Sequence, residues 1–185
     1  MNVLRVLLAS LLVVGAALLQ LGLAPVASIG GVVPDLVLLV VVAAALTRSP
    51  VFACTLAFGA GLLLDLCPPA DHIAGRWAIA LVIVAYLVSR IRHDAASSAL
   101  LALATVAAAA FTATSIFALS GLLLGDPAVP ASAAFGVLPI AIVLDVLVAP
   151  FLLPPMMAAL RYERSEAPST WTAGRPRHDA LGLVS

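Results

Sequence analysis

Lysine is absent from the 185-residue chain, and only two glutamates accompany its seven aspartates. The nine basic residues are all arginine and balance the nine acidic ones, and charged residues make up 10% of the sequence, against about 25% in soluble domains. Without a basic surplus the chain has little with which to neutralise a phosphate backbone, so nucleic acid is not expected as a partner. Cysteine is scarce as well: Cys54 and Cys67 stand thirteen positions apart. On one helix that places them about 20 Å from each other, too far for a disulfide, which needs Cα atoms within about 7 Å. No CxxC or Cys/His spacing points to zinc, and His72, His93 and His178 are scattered. Neither a metal nor a cofactor is expected. A Gly-rich phosphate loop, GxSxG, HExxH and closely paired carboxylates are all missing, so no catalytic residue is assigned and the chain is not read as an enzyme.

What is present is apolar matter: 64% of residues are hydrophobic and the mean hydropathy is +1.21. A water-soluble domain is thereby excluded, and the length divides naturally into membrane spans of about 20 residues. Clusters of Pro, Gly and charge separate six apolar runs: Leu4 to Leu23, Asp35 to Leu46, Val51 to Leu66, Trp77 to Ile91, Ser98 to Leu124 and Ala133 to Leu160. The expected fold is an all-α integral membrane domain of six helices over residues 1–161, with a disordered cytoplasmic tail over 162–185. The second run is short, about 18 Å as a helix, and its spanning the bilayer would call for an extension into Val32 and Val33. The first run is longer than the usual 7–15 residues of a signal-peptide core and is read as an uncleaved anchor.

Arginine placement orients the spans. If they alternate, Arg5, Arg48, Arg90, Arg92, Arg161, Arg164, Arg175 and Arg177 fall on one side and Arg76 alone on the other. Positive residues collect in cytoplasmic loops, which puts both termini in the cytosol and the loops 24–34, 67–76 and 125–132 outside.

Carboxylates inside hydrocarbon are costly, at least about 2.5–3.5 kcal/mol at a helix centre, and mark either function or a buried partner. Asp145 lies in the middle of the sixth run, among Pro139, Pro150, Pro154 and Pro155. It is a candidate ligand for a proton, cation or substrate. The structural alternative is a protonated side chain bonded to a carbonyl freed by proline or to a threonine on a neighbouring helix. Ala53, Ala57, Gly61 and Asp65 recur every four residues and share one helical face. Small residues in that register let helices approach closely, which makes this face a helix-packing or partner-contact seam ending in a carboxylate that Arg76 can reach. Asp35 follows Pro34 at the start of the second run, where an acidic side chain caps a helix and offsets its dipole.

Pro34-Asp35-Leu36-Val37-Leu38 together with Gly59-Ala60-Gly61-Leu62-Leu63-Leu64-Asp65-Leu66 resembles the rod shape-determining MreD family of bacterial membrane proteins. The resemblance in span layout covers about Leu4 to Tyr162. It implies a fold similar to the substrate-binding components of energy-coupling-factor vitamin transporters. It further implies a place in the plasma membrane, in the elongation machinery that organises lateral peptidoglycan synthesis. The implied partners are an MreC-like bitopic protein, a RodA-type glycosyltransferase, a class B penicillin-binding protein and, where present, MreB filaments. Asp35 and Asp65 would then shape the region where a partner helix docks. Two functions compete: a non-enzymatic membrane scaffold, and a solute-binding transport component that uses Asp145 and a cavity among the helices. Sparse polar and aromatic groups in the spans favour the scaffold.

Overall fold

The computed structural model describes residues 3–67, 73–95, 98–125 and 131–162; the expected tail past Tyr162, His72 and His178 lie outside them. Six helices follow in order: α1 (Val3–Ala27), α2 (Leu36–Thr47), α3 (Pro50–Leu66), α4 (Arg76–Ala95), α5 (Ala99–Leu123) and α6 (Ala131–Tyr162), with no strand among the described residues. Each coincides with one apolar run. Serine marks two of the starts: Ser49 precedes Pro50 and accepts the Phe52 N–H, and Ser98 accepts the Leu100 N–H. Within the helices, Thr47, Thr55, Thr105 and Thr112 return their hydroxyls to the carbonyl four residues back, which removes a polar group from apolar surroundings.

Three helices contain segments long and apolar enough to cross a membrane: Val6–Leu23, Ala99–Leu123 and Gly136–Arg161. Their outward faces carry large apolar side chains, among them Leu18, Leu100, Leu123 and Phe151, which are 66%, 75%, 77% and 75% exposed. A surface of that kind suits hydrocarbon and not water. The helices run alternately up and down. At one end, Arg92 near the end of α4 donates to the Arg48 carbonyl just past α2 at 2.9 Å, and Thr47 and Arg48 line one groove with Val6 and Ala9 near the start of α1. At the other end, Asp65 of α3 meets the start of α4, and Arg76 of α4 meets Phe117 and Ser120 of α5.

α2 is the axis of the bundle. All twelve of its residues are buried, and it touches every other helix. A helix that is apolar on all sides can hide every face only at the centre of an assembly, and a run with no hydrophilic stripe therefore takes this place. Its start departs from the expectation that Val32 and Val33 extend it. Ile29 and Val32 exchange backbone hydrogen bonds of 2.9 and 3.1 Å across Gly30 and Gly31, whose φ values are +61° and +81°. Positive φ at both central positions defines a tight turn that glycine makes without strain. Pro34 then disfavours helical backbone at Val33, so the helix begins only after Asp35. The expected outer loop over 24–34 is likewise shorter, because α1 continues to Ala27 and the Gly30–Gly31 turn lies against Ile140 of α6.

Candidate functional site

The polar groups of the bundle gather at two helix starts. The first turn of any helix leaves amide N–H groups without intrahelical partners, and α2 presents its first turn deep inside the molecule. The accounting there is complete. The Asp35 N–H donates to Asp145 Oδ1 at 2.6 Å, Leu36 N–H to the Pro34 carbonyl at 3.1 Å, Val37 N–H to Gln20 Oε1 at 3.3 Å, and Leu38 N–H to Asp35 Oδ1 at 2.9 Å. Three side chains from α1, α6 and the residue before α2 thus converge on one turn of backbone. Asp145 is 2% exposed and lies about halfway along α6, so its carboxylate reaches the start of α2 well inside the bundle. Helix N-termini carry partial positive charge, which makes a carboxylate the favoured acceptor there. The structural alternative weighed for Asp145, a bond to a freed carbonyl or a threonine, is replaced by acceptance of a backbone amide 110 residues away in sequence.

The second gathering repeats the device at α4. Asp65, also 2% exposed, accepts the Gly75 N–H at 2.9 Å and the Trp77 and Ala78 N–H groups at 3.1 Å each. Gly75 has a φ of +98°, the turn conformation that brings its amide round toward α3. Beside Asp65 on the same face, Gly61 lets the two backbones touch: a Cβ there would overlap the main chain of Trp77 and Ala78. Ala53, Ala57 and Gly61 are buried, as is Ala60. The seam over Ala53, Ala57, Gly61 and Asp65 is occupied by the chain's own helices, and its partner-contact reading finds no exposed surface on those residues.

Arg76 was expected to meet Asp65 as an interfacial pair near the outer surface. Both side chains are buried and not exposed at that surface, and the guanidinium also extends to α5. Its Nε donates to Ser120 Oγ at 3.1 Å and its Nη2 to the Phe117 carbonyl at 2.6 Å, and it lies 4.0 Å from the centroid of the Phe117 ring. Gly121 makes room, since a Cβ at that position would meet the guanidinium. Trp77 stacks on the same ring with centroids 4.7 Å apart, so it pins α4 to α5 and is only half exposed to any headgroup layer. Cys54 and Cys67 are free thiols, and among the described residues no three His, Cys, Asp or Glu side chains gather as a metal site.

Sequence reading placed Asp35 at a helix start but missed Gln20, Phe117 and Gly121. For Gln20 a signal existed: it is the one amide in an otherwise apolar run, and such a residue needs a partner. Nothing in the sequence joins Gln20 to Val37 or Asp145 to Asp35. No family model, curated protein or solved structure matches the chain.

Proposed function

We propose that this protein is a non-enzymatic, multi-pass scaffold of the bacterial plasma membrane, an MreD-type subunit of the cell-elongation machinery. In this reading six helices cross the bilayer with both termini in the cytosol, as the one-sided arginine distribution favours. It supports cell shape and lateral peptidoglycan synthesis by binding partner transmembrane helices: those of an MreC-like bitopic protein, a RodA-type glycosyltransferase and a class B penicillin-binding protein, with MreB filaments on the cytosolic side.

One observation supports the scaffold over the transport alternative. The carboxylate on which a solute site would have depended, that of Asp145, is engaged by the Asp35 amide at 2.6 Å inside a closed turn. The motif residues behave alike: Pro34-Asp35 starts α2, and Gly61 with Asp65 seats α4. A protein whose intramembrane carboxylates hold its own backbone offers other proteins a rigid apolar surface. Co-purification from native membranes in mild detergent tests the proposal. Recovery of the bitopic, glycosyltransferase and transpeptidase partners, with loss of rod shape on depletion, is the expected result. Recovery of ATPase coupling subunits instead, with normal cell width on depletion, would contradict it.

A further inference from the structure

Proline carries no amide N–H, so each proline inside a helix leaves the carbonyl four residues earlier without its usual donor. The second half of α6 contains Pro150, Pro154 and Pro155, and the carbonyls released are those of Val146, Pro150 and Phe151. Residues four apart share one face of a helix, so these oxygens lie on the side of the prolines that free them. That side is outward: Val143, Leu147, Pro150, Phe151, Pro154 and Pro155 are all exposed. Val146 also lines a shallow depression of about 350 Å³ with Ile142, Val143 and Leu147, and an open seat thus adjoins the first of the three oxygens.

The helices packed against α6 are α1, α2 and α5, and their polar side chains are spent elsewhere. Because the helices alternate in direction, the second half of α6 runs beside the first half of α5, where Thr105 is the one hydroxyl between 99 and 111. It is returned to the Leu101 carbonyl at 2.7 Å. Thr47, the one hydroxyl of α2, bonds the Ala43 carbonyl at 2.6 Å, and Gln20 of α1 is engaged with Val37 at the start of α2. Val146 to Phe151 lies at the middle of the apolar segment Gly136–Arg161, where in a bilayer no water reaches an exposed carbonyl.

We infer that this face of α6 is the docking surface for a partner transmembrane helix that carries hydrogen-bond donors, carboxamides or hydroxyls, one turn apart. The Val146 and Pro150 oxygens are separated by four residues, about 6 Å along the axis, which is the repeat of donors at i and i+4 on a facing helix. A lipid tail covers such a face but leaves its oxygens unmatched, whereas hydrogen bonds across the contact select one helix over another. The inference deepens the scaffold reading by naming a contact face. Its test uses synthetic helices and none of the elongation proteins, so the two can fail separately.

The full chain, labelled with a dye at Ser98→Cys in a Cys54→Ser, Cys67→Ser background, is reconstituted into dioleoyl-phosphatidylcholine vesicles. Energy transfer is read to two labelled polyleucine peptides of about 20 residues, one with asparagine at two central positions four apart and one with leucine throughout, each diluted until it does not self-associate. This protein should bind the asparagine peptide at least about threefold more tightly than the leucine peptide. Adding Pro150→Leu and Pro154→Leu restores N–H groups to the Val146 and Pro150 carbonyls. That pair should erase the preference while leaving thermal stability equal or higher, which separates loss of docking from loss of fold. Equal binding of the two peptides before the prolines are changed would overturn the inference, and this comparison holds whether or not the proline variant folds. An undiminished preference in the folded proline variant would overturn it as well. Energy transfer between copies of the protein without peptide, abolished by the same substitutions, would assign the face to a second copy and overturn the partner reading.

Discussion

At the scale of single residues, the polar side chains of this bundle serve the main chain. Asp145, Asp65, Gln20 and Arg76 each reach from one element to backbone groups of another. Buried amides without acceptors cost about 1–3 kcal/mol each, whereas a formed bond contributes less. Asp145→Leu should therefore lower stability in detergent by about that amount, through the orphaned Asp35 N–H. Asp145→Asn keeps an acceptor oxygen and should lose clearly less, and equal losses in chemical unfolding would show that the bond is not what holds the site. Gly61 is a sterically stricter position. Gly61→Ala places a methyl against the main chain of Ala78 and Trp77, which cannot rotate aside, so a loss of about 1–3 kcal/mol is expected. Gly59→Ala, two residues away and facing open space, should change stability by no more than about 0.5 kcal/mol. Unfolding curves of the pair check the contrast. Spacing in the sequence brought Gly61 and Asp65 onto one face. It carried no information on whether that face would meet a partner or α4, because small residues suit both.

At the scale of elements, the informative case is α2. Its location as a helix was legible from Pro34-Asp35 at one end and Thr47-Arg48-Ser49-Pro50 at the other, and the expected bounds agree with the structure to within one position at each end. Its depth was not legible. A uniformly apolar run has no periodicity from which to read a buried face, and twelve residues suit a central helix as well as a short span. The start was misjudged because helix extension was argued from bilayer thickness, while Gly30-Gly31 and Pro34 dictate a turn and an extended residue first. Two consequences follow for experiment. Asp35→Ala removes the cap on Leu38 and should cost about 0.5–2 kcal/mol. Amides of α2 from Val40 to Ala45 should exchange more slowly with deuterium than those on the exposed face of α1, since opening α2 requires separating it from every neighbour. Exchange at the α1 rate would contradict a central α2.

At the scale of the whole molecule, apolar runs foretold all six helices, because in a chain this poor in charge the breaks are as visible as the helices. What joins them was hidden, since Asp35 to Asp145 and Arg76 to Ser120 are pairings between residues 110 and 44 positions apart, and spacing rules act only along one element. The proposed arrangement across the bilayer combines the up-and-down alternation of the helices with the arginine asymmetry. Its most direct test is cysteine accessibility in a Cys54→Ser, Cys67→Ser background, with a membrane-impermeant maleimide applied to intact cells and then to opened ones. Ala74→Cys, in the exposed turn between α3 and α4, should be labelled in intact cells. Ser98→Cys, between α4 and α5, should be labelled only after opening, and Val40→Cys in neither. Labelling of Ala74→Cys and Ser98→Cys from the same side, or ready labelling of Val40→Cys, would contradict a membrane bundle built around α2.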